Sequence, residues 1–507
     1  MNKGKVYLVG AGPGDEGLIT VRGAELIASA DVVVYDLLVN PVFLTHCKPS
    51  AELVYVGKQG GFHYRSQDEI NEILVSYAIK GGLVVRLKGG DPYVFGRGGE
   101  EFQVLNKFGI ECEVVPGVTS GVAAPAYAGI PVTHRDCSSS ITLVTGHKRK
   151  GEEISGLNWD ALAKLDGTIA FYMGVKNIGD ISKNLRKGGM PEDTPVALVR
   201  YGTYPCQQKL VGTLANIEAK VKESGLRPPA ITIVGKVVDL HTELDWFGKK
   251  PLIGKRILVT RARAQASSLV KNLVECGAEV VEFPTIKIDP IKDLSPLRKE
   301  IESINKYKWI LFGSVNAVNI FFDTLKEEGK DVRALYANKI AAIGKETAKV
   351  LVSKGLLVDF IPNKQTSEGF VNEFPELGEL KDLTVFIPGS DLTRNVLFDG
   401  LTALGAKVNC LSTYNNTKLE YSKEELENLI DGKFDWITFC SSSSVNNYTS
   451  ILKEHNLFNK YDSTNIAAIG EITAMSVKNN NLKLTLMPNK PSIKDLVESI
   501  KKFEQNL

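Results

Sequence analysis

At 507 residues the chain exceeds one ordinary hydrophobic core, so roughly two to four domains are expected. Hydrophobic residues at 43% and charged residues at 24% are those of a globular protein, and 61 Lys+Arg against 59 Asp+Glu exclude nucleic-acid binding by global charge. Seven scattered cysteines, never in CxxC spacing, argue for reduced thiols in a cytoplasm and against structural zinc or a disulfide framework.

"MNKGKVYLVG" runs straight into a strand, with no leader, and no apolar run reaches transmembrane length, so no membrane partner is expected. From there strand-like and helix-like segments alternate to the end, the α/β pattern. The first strand ends in Gly10-Ala11-Gly12-Pro13-Gly14-Asp15. A dinucleotide fingerprint would open a helix here, with an acidic residue about 20 positions on, and Asp36 in "ADVVVYD" supplies one. The third glycine nevertheless comes one place early, and Pro13 has no N–H for a diphosphate. The loop reads either as a tight turn or as a ligand loop of another kind.

A second stretch, "VVRLKGGDPYVFGRGGEE" at 84–101, delivers a buried strand into two further glycine turns. Gly89 and Gly90 would let a ligand lie on bare backbone, Asp91 could bind a ribose or an amino group, and Arg97 could fork a carboxylate. The alternative is a pair of surface turns with incidental charges. Further on, "ITIVGKVVDL" closes one unit and "KRILVTR" opens another near residue 255, which divides the chain at 248/249 with a short linker.

The two glycine stretches, with "VVPGVTSGVAAPAYAGIPVTHRD", "LVTGHK", "FYMG", "PVALVRYGT" and "PAITIVGKVV", resemble the uroporphyrinogen-III C-methyltransferases, of the tetrapyrrole (class III) methyltransferase fold, over roughly residues 4–248. The resemblance implies two α/β subdomains with S-adenosylmethionine between them. It carries donor contacts onto Pro13, Gly89, Gly90, Asp91, Val94, Thr119, Ser120, Met173, Gly202 and Ala230. Thr119-Ser120 departs from the commoner Thr-Ala pair. Proton acceptor and donor fall on Asp36 and Lys58, and the macrocycle grip on Arg97, Glu100 and Arg135, with Met173 between the two ligands. His134 reads as a hinge residue or a catalytic one. The chemistry suits these types: a sulfonium methyl is already electrophilic, so neither metal nor NAD is expected. The enzyme would align a nucleophilic ring carbon and then remove one proton, while basic side chains meet an acid-rich substrate.

The second half is internally duplicated. "KWILFGSVNAVNIFFDTL" matches "DWITFCSSSSVNNYTSIL" at an offset of 127, and Gly344 matches Gly470 at 126 in "AAIGKETA" and "AAIGEITA". Gly277 matches Gly405 at 128, so two α/β lobes with a cleft are expected rather than a solenoid. The matched loops put small hydroxyl or glycine residues between strand end and helix start, where they either cap helices or present N–H groups to anions. These motifs resemble uroporphyrinogen-III synthase over about 252–500. That resemblance implies two lobes joined by two crossing strands. Its positions of interest fall on Ser314, Thr347, Tyr414, Ser441, Ser442 and Thr473, with Arg261 and Lys345 as carboxylate partners. Gly313 and Cys440 stand where the family often has Thr. Tyr414 is the one strong hydroxyl acid among these candidates, suited to help a hydroxyl leave.

Together the halves imply a bifunctional enzyme on small-molecule tetrapyrroles: hydroxymethylbilane closed to uroporphyrinogen III with ring D inverted, then two methyl transfers giving precorrin-2. Homodimerisation through the methyltransferase half is the family's expectation. The rival is a methyltransferase carrying a non-catalytic two-lobed regulatory module. Other readings are methylation of a later corrin or a diphthamide precursor, against which "GRGGE" argues. Oxidation or iron insertion would need an additional N-terminal dehydrogenase domain, and the chain opens on the methyltransferase motifs, so neither is expected.

Overall fold

Among the described residues the strand-forming runs assemble into four sheets and one two-stranded ribbon. The computed structural model describes residues 3–57, 65–146, 157–261, 263–375, 381, 383–458 and 463–506; the side chains of 263–267 and 391–395 lie outside that description. Among the described residues no helix is long and apolar enough to cross a membrane.

The first sheet contains β1 (Lys5–Gly10), β2 (Val32–Tyr35), β3 (Glu52–Tyr55), β4 (Leu83–Lys88) and β5 (Cys112–Val115), in the order β3-β2-β4-β1-β5. All its pairings are parallel. Runs such as "VVVY" and "LVVRLK" are buried on both faces, as a sheet with helices on either side demands. The chain leaves β1 toward β2 on one side, and leaves β4 toward β5 on the other. The carboxyl ends of β1 and β4 therefore flank a switch point, where an open α/β sheet has its crevice.

The second sheet holds β6 (Ile141–Thr145), β7 (Thr168–Tyr172), β8 (Pro195–Arg200), β9 (Gln208–Thr213) and β10 (Ala230–Val234), ordered β6-β7-β10-β8-β9. Only β6 and β7 run parallel; the other pairings are antiparallel. The small-residue helix Ser120–Tyr127 brings the first subdomain onto this sheet. Its approach is close enough that a Cβ on Gly121 would lie 2.4 Å from the Tyr172 hydroxyl.

In the second half, β11 (Arg256–Val259), β12 (Glu279–Glu282), β19 (Trp436–Phe439), β20 (Asn465–Ala468) and β21 (Leu484–Leu486) form one sheet. A second sheet holds β14 (Trp309–Phe312), β15 (Lys339–Ala342), β16 (Thr384–Gly389) and β17 (Lys407–Ser412). Their orders are β12-β11-β19-β20-β21 and β15-β14-β16-β17. The duplicated segments therefore do not coincide with the lobes. Each copy puts its first two strands in one lobe and its later strands in the other, so either lobe is completed by both copies. The crossings are β13 (Ile286–Pro290) and β18 (Tyr414–Lys418), an antiparallel ribbon with Ile288 opposite Asn416. Those two residues are themselves copy-matched, which centres a pseudo-two-fold on the ribbon.

Between the halves, Phe247 is buried against Tyr127 of the first half, with ring centroids 4.8 Å apart. Five residues later, Leu252 sits in the core around β11. The Gly254 amide donates to the Pro205 carbonyl across the junction at 3.1 Å.

Candidate active sites

The two glycine stretches of the first half are bonded to each other. Gly12 and Gly90 form an isolated antiparallel bridge, Gly90 N–H to Gly12 O at 2.7 Å and Gly12 N–H to Gly90 O at 3.2 Å. Both have left-handed φ, +75° and +71°, which glycine adopts without penalty. The Ala11 amide adds a bond to the Lys88 carbonyl at 2.8 Å. Gly10 and Gly117 close the cradle from below, since a Cβ on Gly117 would stand 2.2 Å from Gly90 O. Above Gly90 the space is open: its own Cβ would meet nothing nearer than 3.9 Å, and the neighbours there are Ser120 N and Thr119 Cα. The result is a floor of bare backbone at the switch point, with half-buried Pro13 beside it.

The Asp91 carboxylate is held by backbone: one oxygen accepts the Tyr93 and Val94 amides (2.8 and 3.1 Å) and the other the Gly117 amide at 3.0 Å. It organises the loop and keeps acceptor capacity on the oxygen that Gly117 meets. Arg97 does make a planar fork, but onto Glu100, at 3.0 and 2.6 Å. Val94 leans onto the second subdomain's inner core. The Thr119 hydroxyl shares a 2.6 Å bond with the Tyr172 hydroxyl, which also accepts the Gly121 amide. Met173 is 53% exposed with φ +55°. Gly202 lies against Ala124, whose Cβ a substituent would meet at 2.3 Å. Ala230 opens β10, and its methyl packs against the outer core, so it can meet a ligand at the cleft only through backbone. Arg135 is exposed in a turn closed by paired His134–Ser138 backbone bonds; in it His134 Nδ1 accepts the Asp136 amide, a connector's geometry. Lys58 lies outside the described residues.

Phe95, Arg97, Met173, Tyr201 and Thr203 all have φ between 48° and 75°, and all border these loops. For β-branched Thr203 this is a true outlier, of the kind that clusters at functional sites. Thr203 is buried, and its hydroxyl accepts the Asp15 amide at 3.0 Å. The Asp15 carboxylate in turn accepts the Tyr127 hydroxyl at 2.7 Å, and burial followed by that carboxylate pushes the phenol well above the ordinary tyrosine range.

Asp36 sits at the end of β2 beside Gly89, where a Cβ would strike Leu38 at 2.7 Å. Its carboxylate accepts Arg86 Nη2 at 3.0 Å. Arg86, 2% exposed, also donates through Nε to Glu101 at 3.2 Å, and the same oxygen accepts Lys88 Nζ at 2.9 Å and Gln67 Nε2 at 3.2 Å. Glu101 is fully buried, and its other oxygen has no partner among the described residues. Two carboxylates thus face two cations beneath the cleft. Burial and then the Arg86 cation push the Lys88 ammonium below the ordinary lysine range, with Glu101 opposing. Sequence reading missed this network. Its signal was present: Arg86 and Lys88 alternate on a strand otherwise apolar, so one face of a buried sheet carries two charges that need partners.

In the second half, Ser314 caps helix Val315–Glu327 through the Ala317 amide at 3.2 Å, and Ser441 caps Ser442–Glu454 through the Ser444 amide at 3.2 Å. Capping therefore accounts for both hydroxyls. Tyr414 is 3% exposed, in the core of the β14–β17 lobe, with its hydroxyl 2.9 Å from Ser314 Oγ. Ser442 donates to the Ile472 carbonyl at 3.2 Å; Thr347 and Thr473 are buried. Lys345 opens its helix, exposed, with its amide on Gln365 at 3.2 Å. Arg261 follows β11 close enough to oppose the burial that pushes the Cys440 thiol up. Ser314, Lys345, Thr347 and Tyr414 are gathered in one lobe, and Arg261, Ser441, Ser442 and Thr473 in the other.

Comparison with known proteins divides the chain the same way. The model of the tetrapyrrole (corrin/porphyrin) methylases matches residues 5–218, and that of uroporphyrinogen-III synthase HemD matches 267–498. A porphyrin biosynthesis protein HemD of Ruminiclostridium josui is 41% identical over 99% of this chain and 98% of its own length. A uroporphyrinogen-III C-methyltransferase of Synechocystis is 54% identical over 48% of this chain and 92% of that protein. Among solved structures, a Thermus thermophilus uroporphyrin-III C-methyltransferase complexed with S-adenosylhomocysteine is 39% identical, covering 47% of this chain and all of that one, with a TM-score of 0.41.

Proposed function

The chain belongs to the porphyrin-biosynthesis HemD family, a tetrapyrrole methylase fused to a uroporphyrinogen-III synthase, and from that premise we propose how its halves divide the work. The protein is a bifunctional enzyme of tetrapyrrole biosynthesis. Its second half closes hydroxymethylbilane to uroporphyrinogen III with ring D inverted, and its first half methylates that product twice, giving precorrin-2. We set the boundary at 248/249, between Phe247 on Tyr127 and Leu252 in the synthase core. The work is assigned to the cytoplasm, without metal or NAD, and the methyltransferase half to a homodimer.

The observation that carries the methyltransferase reading is the Gly12–Gly90 bridge, an uninterrupted backbone floor at the switch point. It suits a ligand held by shape and backbone rather than by counter-charge. S-adenosylmethionine, when bound, supplies an electrophilic methyl group on a sulfonium. Pro13, Gly89, Gly90, Val94, Thr119, Ser120, Gly202 and the Ala230 backbone would hold it, with Asp91 fixing the loop. Exposed Met173 stands between donor and macrocycle. Asp36 takes up the proton lost from the ring carbon, the C–H electron pair returning to the macrocycle. Lys58 is the proposed proton donor. Arg97, Glu100 and Arg135 grip the macrocycle, the two arginines at its acid arms, which requires the Arg97–Glu100 fork to open.

In the synthase half, the work is conformational: the linear substrate is held curled while its hydroxyl departs. Arg261 and Lys345 meet carboxylate arms from opposite lobes, with Ser314, Ser441, Ser442, Thr347 and Thr473 shaping the helix N-termini. Tyr414 assists departure of the hydroxyl. The test supplies purified protein with hydroxymethylbilane and S-adenosylmethionine; precorrin-2 is the expected product. Isomer I with no methylated product would leave the second half a binding module.

A further inference from the structure

Beneath Asp36 the protein buries three charges, Arg86, Lys88 and Glu101, which with Asp36 make a connected set of four. Burying a guanidinium, an ammonium and a fully sequestered carboxylate is costly, and removing one partner from such a set strands the rest. Structural need alone would be met by apolar residues on β4, as on its other positions. This set instead reaches the cleft at one point only: Asp36, whose side chain is 26% exposed while Arg86 and Glu101 are 3% and 0%. Arg86 is shared, with Nη2 on Asp36 and Nε on Glu101.

We propose that Arg86 is a positioning residue for methylation: it aims the Asp36 carboxylate into the cleft, and Glu101, by competing for the same guanidinium from below, sets how readily Asp36 accepts a proton. This rests on the reading of Asp36 as the base. Among the described residues the charged and titratable groups around Asp36 are Arg86 and Lys88 from β4, Glu101 from helix Gly98–Lys107 on the far side of Arg86, and Tyr55 from β3, whose hydroxyl borders Gly57; the other Asp36 oxygen accepts the Leu38 amide at 3.2 Å. Glu101 draws the shared guanidinium inward through Nε while Asp36 holds it through Nη2, and Lys88 balances Glu101 in turn.

The sign follows from the competition. Glu101→Gln removes one negative charge and leaves Asp36 as the one carboxylate on Arg86, so the acid limb of the methylation rate moves to lower pH, by about one unit. Gln67→Met strips one donor from Glu101 at the half-buried edge of the network, strengthens its hold on Arg86, and moves the limb by a smaller step to higher pH. Arg86→Lys shortens the cation and lowers kcat at least tenfold with KM for S-adenosylmethionine unchanged within about twofold. The experiment measures pH profiles with uroporphyrinogen III and S-adenosylmethionine on the full chain, with S-adenosylhomocysteine calorimetry to establish that each variant is folded. Opposite displacements in Glu101→Gln and Gln67→Met support the inference. An unmoved limb in both, with Asp36→Asn inactive, overturns it while the base reading stands. Full turnover by Asp36→Asn overturns the base reading, and this inference with it.

Discussion

Gly117 has no side chain because the Gly90 carbonyl occupies the position one would take, 2.2 Å from its Cβ, with Gly10 at 2.8 Å. Gly117→Ala must therefore push the glycine loops apart, and we expect it to lower affinity for S-adenosylhomocysteine at least tenfold, about 1.4 kcal/mol. Gly90→Ala meets no protein atom, so its stability cost is the left-handed backbone strain alone, about 1–2 kcal/mol, but its methyl enters the space assigned to the donor and should lower affinity as well. Thermal melts of the two unliganded variants separate collision from strain, and a stability loss in Gly90→Ala equal to that in Gly117→Ala would contradict the packing described. Tyr414 presents a similar choice between roles. Its hydroxyl bonds to Ser314, and Ser314 still caps its helix without it. Tyr414→Phe should lower stability by about 1 kcal/mol, a typical net hydrogen bond, yet cut synthase turnover far more if the phenol assists the leaving hydroxyl. Retained turnover with the small stability loss would reduce Tyr414 to a lobe-core residue.

At the scale of elements, the synthase duplication was readable because three matched segments keep a nearly constant offset. What that offset cannot convey is that β14, with β15 at its other side, pairs with β16 of the other copy. Period and composition specify which residues form strands, not which copy completes the sheet; that exchange is fixed by the ribbon, whose register places Pro290 against Tyr414. It also yields a prediction. Residues 252–366, one whole copy, contain only half of each lobe, leaving Trp309, Ile310 and Leu311 without the β16 neighbours that bury them. That fragment should show no cooperative melt by near-ultraviolet circular dichroism, whereas residues 250–507 should melt sharply. The methyltransferase loops were legible for a different reason: bare backbone at a ligand requires glycine, and glycine is visible in sequence. The partners of Asp91 and Arg97 were not, because a carboxylate satisfied by backbone amides or a neighbouring side chain carries no local sequence mark. Charges on a buried strand do carry one, and Arg86 with Lys88 could have been recognised from it.

Across the whole molecule, the Gly10–Asp15 loop and the domain junction share residues. Asp15 accepts Tyr127, whose ring packs on Trp246 and Phe247 at 4.8 Å each, and Lys209 ties the same linker down by donating to Asp245 at 2.9 Å and to the Ala128 and His241 carbonyls. The linker is thus packed as part of the methyltransferase rather than strung between the halves. Burial works to raise the Asp245 carboxyl, but Lys209 and the Gly248 amide outweigh it and hold the group below the ordinary carboxylate range. A carboxyl lowered on folding contributes stability that is present above its unfolded value, roughly 3.9, and is lost as pH falls through the lower folded value. Acid should therefore release the linker and change the surroundings of the half-exposed indole of Trp246, which packs on Tyr127 and whose Nε1 donates to the Ala126 carbonyl at 3.1 Å. The predicted signature is a fluorescence change below about pH 4 that is absent in Trp246→Phe. Lys209→Met leaves Asp245 without its cation, so the same change should begin at higher pH. A fluorescence transition at the same pH in Lys209→Met and the unmodified chain would mean that Asp245 does not hold the junction, and that the packing of Tyr127 on Phe247 suffices by itself.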